Sequence, residues 1–284
     1  MWWLLGVFGV ALVAWSVESA RRILYPLRRA ISPPQPLPSY ATHTIVAPDG
    51  SPLSVWLLGA RSPRARVLVF HGYSANRHQV LDLSGGLRAQ GYEVLLFELR
   101  GHGQRPGPCT LGVLEASDAQ AVLRWAANQD PGRPLPVGLL GLSMGAAVAC
   151  RVAALEPSVG AVVVDSVYSR LFPVLARSIW RRYHLPAIPW AWLTWWSVQL
   201  ALRRCLAPLD PVVLASRLHQ PLLAIQGGED RRVVPMLGRE FYRSWAGPKE
   251  RWFEERVAHV GMFAGHPQEY CDRVANFFDR ALLN

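Results

Sequence analysis

Short apolar runs of strand length recur along the body of this chain, with longer amphipathic stretches between them. The runs fall at residues 67–70, 93–97, 137–140, 161–164 and 222–225, and the helical stretches include 75–90, 113–128 and 144–155. Runs that are apolar at consecutive positions are buried on both faces. The pattern therefore predicts a mostly parallel sheet with helices on both sides. Ahead of it, residues 42–47 and 53–58 flank Pro48-Asp49-Gly50, which predicts an antiparallel hairpin. The alternation breaks between 166 and 208, a segment carrying Trp180, Trp190, Trp192, Trp195 and Trp196 beside Arg177, Arg181, Arg182, Arg203 and Arg204. In open parallel sheets ligands bind beyond the carboxyl ends of the strands, so the residues after each run are where chemistry is expected.

The first apolar run is of a different kind. Residues 2–17 carry no charge and as a helix cover roughly 24 Å, slightly short of a bilayer core. Trp2, Trp3 and Trp15 suit its interfaces. Arg21, Arg22, Arg28 and Arg29 follow the run and no basic residue precedes it. That asymmetry favours an uncleaved single-pass anchor with the body of the chain in the cytoplasm. A signal peptide is the alternative, but Val17-Glu18-Ser19-Ala20 is a poor cleavage site and the basic n-region is missing. A proline-rich stretch, residues 32–38, then acts as a semi-rigid spacer. The expected organisation is an anchor at 1–20, a basic and proline-rich linker at 21–39, and a domain at 40–284 with an insertion at about 166–208.

Composition narrows the classes. Of 284 residues, 51% are apolar and 18% charged, which supports a sizeable core and excludes wholesale disorder. The net charge is +10, and Lys249 is the one lysine among thirty basic residues. An arginine-preferring, GC-rich bacterial genome accounts for that skew; attraction to anionic lipid is the sharper reading. No zinc-finger spacing or RNA-binding signature points to nucleic acid, and none is expected as a partner. Cys109, Cys150, Cys205 and Cys271 are widely spaced with no close pair, so free thiols are expected, with neither a metal site nor a cofactor.

Chemistry sits at the strand ends. Gly141-Leu142-Ser143-Met144-Gly145 directly follows one apolar run and opens an Ala-rich helix. A serine on a sharp strand-to-helix turn needs small neighbours, and the helix N-terminus stabilises negative charge beside it. Asp230 follows the run at 222–225, and His259 follows Trp252-Phe253. Nucleophile, acid and base thus appear in the order found in hydrolases built on such sheets. Asp165, ending the run at 161–164, is a rival acid, and His266 a rival base. His71 and His102 are expected to be structural hydrogen-bonders.

These motifs resemble the α/β-hydrolase superfamily from about Tyr40 onward, in particular membrane-anchored bacterial serine hydrolases of the S33/S9-peptidase-like and BEM46-like group. HGYSAN resembles its oxyanion turn, FELRGHGQ its RGHG element, GLSMG its nucleophile elbow, GGEDRRVVP its acid loop and HVGMFAGH its histidine loop. Glu98 and Gln104 stand where Asp and Ser are usual, and Tyr73 is large for its place. The resemblance implies an α/β-hydrolase fold with a helical cap after the sixth strand. It also implies a Ser143–His259–Asp230 triad and an oxyanion hole formed by the backbone N–H groups of Tyr73 and Met144. The implied substrate is a carboxylic ester, thioester or lipid acyl group; a small-peptide amide and a non-catalytic scaffold remain as alternatives. The Trp-rich cap reads equally as an acyl-binding or bilayer-facing wall and as ordinary packing. A chain beginning near Ser39 is expected to be soluble and active on short esters.

Overall fold

The computed structural model describes residues 2–28, 31–33, 35–129 and 131–283. Among these residues eight strands form one sheet in the order β1-β2-β4-β3-β5-β6-β7-β8. They are β1 (Ala41–Val46), β2 (Pro52–Leu58), β3 (Ala65–Phe70), β4 (Tyr92–Phe97), β5 (Val137–Leu142), β6 (Val159–Asp165), β7 (Leu222–Gly227) and β8 (Lys249–Glu254). Only β2 runs antiparallel, pairing with β1 through the expected hairpin and with β4 on its other side. From β4 to β8 every pairing is parallel.

The helices are α1 (Trp2–Leu24), α2 (Leu81–Ala89), α3 (Val113–Ala127), α4 (Met144–Leu155), α5 (Leu171–Tyr183), α6 (Trp192–Leu202), α7 (Pro211–Ala215), α8 (Pro235–Ser244), the single turn α9 (Met262–Gly265) and α10 (Pro267–Leu282). Strand side chains alternate between two cores. Leu68, Phe70, Leu95, Phe97 and Leu139 join residues of α3, α4 and α8 on one face. Val67, Val69, Val94, Leu96 and Leu140 join residues of α2 and α10 on the other. A sheet buried on both sides explains why these runs are apolar at consecutive positions. The helix expected at 75–90 is shorter: Arg77–Val80 forms a 3₁₀ turn, opened by the Asn76 side chain accepting the His78 N–H, and α2 begins only at Leu81.

The segment after β6 is helical and consists of α5, α6 and the irregular turns around them. Its two ends meet. The Asp210 carboxylate accepts the N–H of Leu171, and the Ser169 carbonyl accepts the N–H of Val212. It is a cap pinched at a neck.

At the N-terminus the structure departs from the expected boundaries. α1 does not stop with the apolar run but continues through Glu18–Arg22 to Leu24. At 23 residues it is about 34 Å long, but the added residues include Glu18, Arg21 and Arg22, so the uncharged span stays at residues 2–17. It is long and apolar enough to be a membrane span or a signal sequence. Its N-terminal half is exposed, whereas Ala20 and Leu24 are 3% and 5% exposed. They pack against Val198 of α6 and Leu206 of the cap. Ser16 and Ser197 are in hydrogen-bond contact, and Trp15 meets Tyr183 and Trp190 edge-on. Four residues assigned by sequence to a linker therefore complete a helix docked on the domain. Arg28 is exposed; Arg29 lies outside the described residues.

Candidate active site

Ser143 sits between β5 and α4 with φ 54° and ψ −115°, a conformation costing about 1–3 kcal/mol for a non-glycine residue. The turn is held by the Ser143 N–H, which donates to the Asp165 carbonyl at 2.8 Å on the neighbouring strand. Space explains the flanking glycines. A Cβ on Gly145 would lie 2.5 Å from the Phe70 carbonyl oxygen, and one on Gly141 would lie 2.3 Å from that of Gly145.

Ser143 Oγ lies 2.9 Å from His259 Nε2, and His259 Nδ1 lies 2.7 Å from Asp230 Oδ2. The Asp230 side chain is fully buried. Its other oxygen accepts the N–H groups of Arg232 and Val233 at 2.9 and 2.8 Å, and Gln226 Nε2 approaches Oδ2 at 3.3 Å. These donors hold the carboxylate in one orientation. The acid loop and the histidine loop are tied by Gly228 N–H to the Glu254 carbonyl (2.8 Å) and Glu229 N–H to the Val257 carbonyl (3.0 Å).

The rival groups have other partners. The Asp165 carboxylate accepts from Ser166 Oγ at 2.9 Å and Tyr270 hydroxyl at 3.2 Å. Burial pushes its pKa up to about 6. Ser166 Oγ in turn accepts the N–H of Val260, beside His259, at 3.0 Å. His266 lies at the start of α10, exposed, with Nδ1 3.8 Å from Glu269.

Tyr73 follows β3 in the turn that faces the elbow. Among the hydrogen bonds of the described residues, none uses the backbone N–H of Tyr73 or of Met144. The preceding peptide is firmly held. Leu99 N–H donates to His71 Nε2 at 3.1 Å, which leaves the proton on Nδ1 to donate to the Gly72 carbonyl at 2.8 Å. That carbonyl belongs to the same planar peptide as the Tyr73 N–H, so fixing one fixes the other. Burial pushes the His71 pKa down to about 3 and keeps the ring neutral. The Gly72 N–H is taken by Gln79 Oε1 at 2.8 Å. Burial also lowers the His102 pKa, and His102 Nδ1 bonds the Arg100 carbonyl at 2.7 Å. Glu98, in the place of the usual Asp, accepts the Gln104 N–H at 2.5 Å. The four cysteines are free thiols, and among the described residues no cluster of His, Cys, Asp or Glu has the makings of a metal site.

The family described as serine aminopeptidase, S33, matches residues 61–195. Uncharacterized protein Rv2307c of Mycobacterium tuberculosis is 31% identical over 259 residues, covering 88% of this chain and 83% of that protein. Among solved structures, the Pyrococcus furiosus esterase Pf2001 is similar with a TM-score of 0.76 and 26% identity, over 91% of this chain and 98% of its own. The chain belongs to the α/β-hydrolase superfamily. It is a hydrolase-type enzyme, with relatives on both the esterase and the peptidase side. The Pyrococcus horikoshii acylaminoacyl peptidase, at 15% identity and a TM-score of 0.67, covers 86% of this chain and 42% of its own, and shares the fold.

Within this α/β-hydrolase, sequence reasoning did not single out Gln226, Ser166, Tyr270 or Gln79 as supports of the site. Gln226 carried a signal: it is a polar residue ending an otherwise apolar buried strand. Tyr270 and Gln79 sit within helical patterns that look like any other.

Proposed function

We propose that this protein is a serine hydrolase that cleaves a carboxylic ester, thioester or lipid acyl group through an acyl-enzyme. The observation that carries the reading is the continuous hydrogen-bonded path from Ser143 Oγ through His259 to Asp230 at a strained strand-to-helix turn. Ser143 Oγ attacks the carbonyl carbon as His259 Nε2 takes its proton. Asp230 holds the Nδ1–H tautomer and stabilises the imidazolium. The Tyr73 and Met144 N–H groups stabilise the oxyanion, at about 3–4 kcal/mol per donor. The imidazolium returns its proton to the leaving group. A water activated by the same histidine then releases the acid. No cofactor takes part.

A peptidase acting on small peptides is the second reading, favoured by the serine aminopeptidase match over residues 61–195. Fold does not decide between ester and amide. In the same proposal the exposed N-terminal half of α1 anchors the chain in the membrane while its second half docks on the domain, residues 25–39 link, and 40–284 form the catalytic domain on the cytoplasmic side, with its cap at about 166–208 near the bilayer. The test is labelling by a fluorophosphonate probe, followed by turnover of p-nitrophenyl esters of graded acyl length beside aminoacyl-anilides. Ser143→Ala, which fits the same turn, should lose both labelling and turnover while keeping its fold. Labelling that survives in this variant would remove Ser143 as the nucleophile.

A further inference from the structure

The last four carbonyls of a helix have no partner within it. In α1 the Arg21 carbonyl accepts the N–H of Tyr25 at 2.8 Å. The rest are satisfied by the catalytic domain. The Tyr73 hydroxyl donates to the Ile23 carbonyl at 2.9 Å and lies 3.3 Å from that of Arg22. The Cys109 N–H donates to the Leu24 carbonyl at 2.6 Å. Cys109 also places its Sγ 3.7 Å from the Met144 sulfur. The end of α1 therefore touches both residues whose N–H groups are proposed to stabilise the oxyanion: Tyr73 directly and Met144 through Cys109. This accounts for a large side chain at a turn where only a backbone N–H has a chemical task. The ring bridges the turn to the helix, while His71 fixes the Gly72–Tyr73 peptide from the other side.

We infer that α1 is a positioning element of the oxyanion hole, so that docking of the N-terminal helix and catalytic competence are coupled through the Tyr73 hydroxyl. The inference rests on the reading of the Tyr73 N–H as an oxyanion donor. Tyr73→Phe keeps the ring and the N–H and removes only the link to α1. Misplacing one oxyanion donor lowers the rate without weakening ground-state binding.

The experiment uses the full chain in detergent micelles, with active sites counted by fluorophosphonate titration. Turnover per active site of a short p-nitrophenyl ester is expected to fall about ten- to a hundred-fold in Tyr73→Phe, with KM within about twofold. The inhibition constant of an alkyl boronic acid, whose tetrahedral adduct occupies the same hole, is expected to rise in parallel. Leu24→Ala loosens the helix end without touching the turn. It should act in the same direction, and the double variant should lose little beyond the larger single effect. It also carries the test if Tyr73→Phe does not fold. A merely structural role would lower the thermal midpoint or the number of titratable sites and leave per-site turnover and boronate binding unchanged. That result overturns the inference and leaves the triad untouched. A raised KM at unchanged turnover overturns it too, making the hydroxyl a binding group. If the unaltered protein neither labels nor turns over any substrate, the hydrolase reading itself has failed.

Discussion

The carbonyl of Asp165 accepts the backbone N–H of Ser143 at 2.8 Å, while the Asp165 carboxylate is occupied by Ser166 and Tyr270. One residue thus fixes the elbow through its backbone and, through Ser166 Oγ and the Val260 N–H, steadies the loop that carries His259. A carboxylate beside an active site need not be its acid. Here its partners give it scaffolding work, and Asp230 is the one bonded to the imidazole.

Substitution separates the two carboxylates. Asp230→Asn is expected to lower turnover about 10⁴-fold, because the amide favours the wrong histidine tautomer. Asp165→Asn keeps its backbone carbonyl and should cost about tenfold or less. His259→Ala should cost several orders of magnitude and His266→Ala little. The check is steady-state hydrolysis of one ester by all four variants. Equal losses at the two aspartates, or at the two histidines, would contradict these assignments.

The buried His71 makes stability depend on pH. Its pKa is pushed down to about 3 in the folded protein, against about 6.5 in an unfolded chain. Below pH 6.5 the unfolded state therefore binds a proton that the native state refuses. The stability this group contributes is complete above that pH and is lost as pH falls toward 3, at up to about 1.4 kcal/mol per unit. Urea unfolding at pH 7.5 and pH 5.5 should show the loss, and His71→Gln should flatten the slope by one proton. An unchanged slope in that variant would mean the ring is not held neutral.

Truncation is expected to act differently from the sequence-based view of a free-standing domain after residue 39. A chain beginning near Ser39 exposes Val198 and Leu206 and leaves the Tyr73 hydroxyl and Cys109 N–H without their carbonyls. It should aggregate or lose at least tenfold in turnover. A chain beginning at Ser16 keeps Ala20, Ile23 and Leu24 and sheds the exposed apolar half together with Trp15, whose ring meets Tyr183 and Trp190. It should stay free of aggregation and active on short esters. Gel filtration and active-site titration of the two chains decide the matter, and full activity in the shorter one would show that α1 is only a tether.

The tryptophans of the cap divide into two groups. Trp192 and Trp196 are 50% and 55% exposed, and Leu200, 79% exposed, continues their stripe along α6. Trp195 turns inward against Phe172 and the cluster holding Ala20 and Leu24. Trp192→Ala with Trp196→Ala is expected to weaken binding of the Ser16 chain to anionic vesicles, or turnover of long acyl esters, with short-ester turnover unchanged. Trp195→Ala should instead destabilise by about 2–3 kcal/mol. Vesicle co-sedimentation at low and high salt, beside thermal melts, separates the two. Indifference of both exposed positions to vesicles would leave the membrane contact to α1 alone.

The sheet was legible because burial on both faces writes itself as continuous apolar runs, and the active-site candidates because each follows such a run. The docking of α1 was not legible. Apolar residues facing lipid and apolar residues facing α6 look alike along a sequence, and the break at Glu18 hides a helix that continues for six further residues to Leu24. The contact of Tyr73 with α1 was hidden for a related reason: its hydroxyl meets backbone carbonyls, which no side-chain pattern records.

The pinched neck of the cap suggests a cassette, since an insertion whose ends meet can be exchanged without disturbing the sheet beneath it. The contact between Ser16 and Ser197, 181 residues apart, sets a limit on that freedom. A foreign cap would meet Ala20 and Leu24 with the wrong surface, and a foreign N-terminal helix would meet Val198 and Leu206 no better. The two segments form one fitted surface, so an exchange of either is expected to keep the fold only when the other is exchanged with it.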